Sequence, residues 1–102
     1  MNYIDNIAWL IITECGGDVV ERSMTSFDLY RGYAVLLLAK GADVTAEDVH
    51  NAWAAWQASV QPDHRSLVPF GSLSKKTQAL DTPYVAAIHK IAQRLSVGAT
   101  ND

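Results

Sequence analysis

Apolar positions along this chain recur at spacings of three and four, the period of an amphipathic helix, and no segment alternates as a strand would. Ile4, Ile7, Ala8, Ile11 and Cys15 form one stripe, widened by Trp9, Leu10 and Ile12. The spacing predicts a first helix from about Tyr3 to Cys15, ended by Gly16-Gly17, because glycine takes a left-handed cap at little cost. The segment "DVVERSM" reads as a connector with room for one helical turn. A second helix is expected from near Ser26, capped by Thr25 or Ser26, with Asp28 in its first turn, and is expected to stop at Gly41. Its second half is apolar almost all round, as in a helix buried on several sides or one that faces another copy of the chain.

The third helix, 46–60, has the clearest start. Thr45 stands at the N-cap, and Asp48, three residues on, completes a capping box with aspartate in place of glutamate. Val49, Ala52, Trp53, Trp56 and Val60 make its inner stripe, and Gln61-Pro62-Asp63 end it. In the following loop, 64–73, four apolar residues stand together: Leu67, Val68, Pro69 and Phe70. Exposing all four would be costly, so the loop is expected to pack on helix three. Ser72 or Ser74 starts a short helical turn through about Gln78. Thr82-Pro83 opens the last helix with a cap residue and a proline, with Val85, Ile88, Ala92 and Leu95 inward. The whole predicts an all-α class: a compact bundle of about four helices with a structured apolar loop, one domain over 1–96 and a flexible tail over 97–102.

The length of 102 residues suits one domain. The net charge of −3, with Lys75-Lys76 the only basic pair, argues against nucleic acid and against an anionic membrane surface. The longest apolar run, Tyr33 to Ala39, is far short of the roughly 20 residues a span needs. The N-terminus lacks the basic start of a secretory leader, and Cys15 has no partner for an internal disulfide. A soluble, cytoplasmic protein is expected.

His50, His64 and His89 each stand alone, without metal-ligand spacing, so no metal is expected. There is no nucleophile elbow and no phosphate loop, so neither a catalytic set nor a cofactor is expected. Asp43, Glu47 and Asp48 read as dipole and cap stabilisation. His50 and Trp53, at i and i+3, share a helical face. The histidine either bonds a loop carbonyl or stands at the edge of an aromatic-walled pocket.

Residues 47–92 resemble the ryanodine-receptor (RyR) domain, a small helical module. Val49, His50, Trp53 and Ala54 match the first part of its pattern. His64, Leu67, Val68, Pro69, Phe70 and Leu73 match the second, and Asp81 falls eleven residues after Phe70, as in that pattern. The chain shortens the family's intervening stretch to "ASVQPD" and has Arg65 in place of its proline. The whole chain is also similar to short proteins of no established role from actinobacteria and their phages. The RyR resemblance implies non-enzymatic recognition of a small, nucleotide-like ligand in a groove between helix 46–60 and loop 64–73. His50 would give a hydrogen bond, Trp53 or Phe70 a stacking face and Arg65 a charge, with His64 completing the set. The alternative is a protein-interaction module without a small ligand: a homodimer through helix two, or a phage-type protein that binds a host factor.

Overall fold

The computed structural model describes residues 2–16 and 20–95, the side chains of the second stretch from Ser26 onward. The expected tail at 97–102 lies outside the described residues. Asn2 starts α1 (Tyr3–Glu14), its side-chain oxygen accepting the Asp5 amide at 2.8 Å. The helix ends where predicted, with Gly16 at φ 120°, a conformation that suits glycine.

The second helix differs from expectation. α2 runs Val20–Lys40 and so begins six residues before Ser26. No glycine or proline interrupts Val20 to Ser26, and the polar residues read as a connector are also adequate helix formers. At its far end Gly41, buried and at φ 54°, turns the chain into a short 3-10 segment, Gly41–Asp43.

α3 (Ala46–Val60) opens on the expected capping box. Thr45 Oγ1 accepts the Asp48 amide at 3.1 Å, and the Asp48 carboxylate accepts the Thr45 amide at 2.9 Å. After the loop, Ser74 caps a one-turn α4 (Lys75–Gln78), and a 3-10 turn at Ala79–Asp81 runs directly into α5 (Thr82–Arg94). Thr82 is therefore inside α5 rather than its cap. Asp81 holds the cap position, in helical backbone and without a capping hydrogen bond.

The fold is a small all-α bundle of four long helices. The core is built where α2 packs on α1, α3 and α5. Ile11, Ile12, Tyr33, Leu37, Val49, Ile88 and Ile91 are its largest fully buried side chains. Two inner-stripe assignments fail at helix ends: Val60 is 58% exposed and Leu95 42%. Each stands in the last turn of its helix or just past it. His50 and Gln57 are buried in α3 instead. Ion pairs tie the bundle at its rim. Arg31 on α2 grips Asp5 on α1 with two hydrogen bonds, Lys40 on α2 meets Asp48 on α3, and Glu14 on α1 meets Lys90 and Arg94 on α5. Such exposed pairs contribute little each. Among the described residues no helix is long and apolar enough to cross a membrane.

Candidate functional site

α3, capped at Thr45, carries His50 and Trp53 one turn apart on one face. His50 is 3% exposed. Its Nε2–H donates to the Val68 carbonyl at 2.7 Å, which holds the loop against α3. The Trp53 indole stacks on the imidazole, with ring centroids 5.5 Å apart and planes 27° apart. His64 meets the Trp53 ring edge-on at 5.1 Å. The Ser66 amide donates to His64 Nδ1 at 3.0 Å, which leaves the ring proton of a neutral His64 on Nε2. Gln78 then clamps the far side of the loop, its amide donating to the Phe70 and Leu73 carbonyls. His89 repeats the His50 device, donating to the Val44 carbonyl just before α3 at 2.7 Å.

These contacts frame a pocket of about 340 Å³. Leu29 and Tyr33 come from α2, His50 and Trp53 from α3, and His64 and Ser66 from the loop. Leu73, Thr77, Leu80, Asp81 and Tyr84 close it from the segment that leads into α5. Tyr33 and Tyr84 lie with ring centroids 5.6 Å apart. Burial, then the neighbouring Tyr84 and Asp81, push the Tyr33 phenol far above its usual range, so it stays protonated. Burial also raises the Asp81 carboxyl above the ordinary carboxylate value, opposed by the nearby His50. Among the described residues no Lys or Arg lines this pocket.

A family model described as Domain of unknown function (DUF7701) matches residues 2–93, from the cap of α1 into the last turn of α5. The chain belongs to this family. Every residue of the pocket falls within the DUF7701 span. No curated protein and no solved structure matches the chain.

Of the five residues singled out from sequence, the structure brings His50, Trp53 and His64 together in the pocket. Phe70 lies beside His50, 6.1 Å between rings, but not on the pocket wall. Arg65 is exposed and also off that wall. The groove between α3 and the loop exists separately, with about 400 Å³ of space over Ala54, Ala55, Ala58 and the loop residues Leu67, Val68 and Pro69. It carries no aromatic ring other than the His50 imidazole, which the Val68 carbonyl already engages. Sequence reasoning missed the contributions of Leu29, Tyr33, Thr77, Leu80 and Tyr84. Asp81 carried one signal, its distance from Phe70. Among the described residues no group of three or more His, Cys, Asp or Glu side chains could hold a metal ion.

Proposed function

We propose that this domain is a non-enzymatic recognition module that binds a small molecule in the pocket between α2, α3 and the start of α5. The observation that carries the reading is the wall itself: Trp53, Tyr33 and Tyr84 beside a polar edge of His64, Ser66, Thr77 and Asp81. Aromatic walls with a few convergent polar groups are the usual make-up of a ligand site. The resemblance of residues 47–92 to the RyR domain supports the same reading, since His50, Trp53 and His64 belong both to that pattern and to the pocket. We assign the protein to a reducing, cytoplasmic compartment, because Cys15 is a free thiol whose burial raises it further from the reactive thiolate.

A fragment screen by two-dimensional NMR tests this. Hits should shift the Trp53 indole N–H and the Tyr84 ring. Leu80→Trp, at a position 65% exposed, should block the pocket without unfolding the domain. Hits that bind the Leu80→Trp variant unchanged would refute the site.

A second reading, self-association through α2, is favoured by Val35 and Leu38, which stand three residues apart on α2, 53% and 40% exposed. Sedimentation at high concentration decides it: a strictly monomeric protein removes it, and a dimer broken by Val35→Asp supports it.

A further inference from the structure

We infer that the pocket selects an organic cation, a protonated amine or quaternary ammonium carried on an apolar or aromatic body. The inference deepens the ligand-binding reading above and rests on it. It comes from the charge census of the wall. Among the described residues Asp81 is the one acidic side chain lining the pocket, and no Lys or Arg accompanies it. Among the described residues the Asp81 carboxylate has no hydrogen-bond or ion-pair partner; Asp43, Glu47 and Asp63 also lack an ion pair but do not line the pocket, whereas Asp5, Glu14, Asp28 and Asp48 each have a basic partner. Asp81 is part-buried and, as the cap residue of α5, makes no side-chain capping hydrogen bond.

A carboxylate placed this way attracts a cation more strongly than one in open water, because the surrounding protein screens less. The rings of Tyr33, Tyr84 and Trp53 line the same space. Aromatic faces add to the attraction through their quadrupoles. A phosphate or carboxylate would meet the negative charge of Asp81 with no Lys or Arg among the described lining residues, so the nucleotide-like expectation narrows to ligands whose pocket-bound part is neutral or positive. The titratable groups around Asp81 do not oppose this. His50 spends Nε2–H on Val68, His64 spends Nδ1 on Ser66, and Tyr33 keeps its proton. Tyr84 is the remaining one. Cation binding needs Asp81 ionised, so affinity falls as pH drops through the raised range of that carboxyl.

Three probes of one shape test the inference: tryptamine (cation), tryptophol (neutral) and indole-3-acetate (anion). Each is titrated at pH 7 by calorimetry, with the Trp53 and Tyr84 resonances as reporters of place. Tryptamine should bind about tenfold tighter than tryptophol, with indole-3-acetate weakest. Asp81→Asn should abolish the tryptamine advantage and leave tryptophol unchanged. On the unmutated protein, added NaCl should weaken tryptamine and spare tryptophol, which decides the matter even if the variant folds poorly. Equal affinities for the three, with shifts at Trp53 and Tyr84, would overturn the cation inference and leave the pocket standing. Absence of shifts at Trp53 and Tyr84 with every probe would overturn both.

Discussion

Two aspartates stand at two helix starts and meet opposite fates. Asp48, in the first turn of α3, accepts the Thr45 amide and pairs with Lys40 at 2.8 Å. The Lys40 ammonium and the Thr45 amide hold its carboxyl below the ordinary range. Among the described residues the Asp81 side chain, at the cap of α5, bonds neither a backbone amide nor a Lys or Arg, and burial raises its carboxyl. The first aspartate stabilises the fold. The second costs stability when ionised and lies against a pocket. Charge left unpaired at a partly buried position is a candidate for function, because nothing in the fold requires it.

His50→Ala should produce the largest effect, since His50 joins the capped helix to the pocket. The Val68 carbonyl loses its partner, Trp53 loses its stacking ring and a cavity opens. Urea unfolding should show a loss of about 3 kcal/mol. A loss near zero would mean that the loop holds its place without α3.

The cap comes next. Thr45→Ala should cost about 1 kcal/mol by the same measurement. The Asp48 contribution carries a pH signature. Its folded pKa lies below the ordinary 3.8, so its stabilisation is complete above that value and is lost as pH falls through the folded one. An Asp48→Ala variant should therefore lose stability at neutral pH and converge on the parent in strong acid.

Asp81→Asn should move the other way. A raised folded pKa means that ionised Asp81 works against folding, so the melting temperature at pH 7 should be equal or higher in the variant. Any gain should vanish as pH falls through that raised pKa, because protonated Asp81 resembles Asn. A clear loss at pH 7 would show that Asp81 has a partner in the fold and would erase the contrast with Asp48. Val60→Ser should do least. The residue is 58% exposed at the end of α3, and its stability should stay within about 0.5 kcal/mol of the parent.

The capped start of α3 was fully legible, because a capping box is written in residues three apart. The His50–loop contact was legible as one of two readings; His50 bonds the Val68 carbonyl and also lines the pocket. Helix two was misjudged at its start because polar helix formers resemble a connector in a single sequence. Val60 and Leu95 were misjudged because periodicity gives a face and does not say where a neighbouring helix ends.

Local chemistry by itself determined the helical class and the α3 cap, while of the four apolar loop residues Leu67 and Phe70 are part-buried and Val68 and Pro69 stay exposed. Tertiary structure alone decided the pocket, since Tyr33, Trp53 and Tyr84 sit on three different helices and meet only when α2 packs on α3 and α5. It also decided that, among the described residues, the acid on the pocket wall has no ion pair. Pairing depends on what lies within about 4 Å in space, and for Asp48 the nearby cation is Lys40 at the end of another helix, while Asp81 has none.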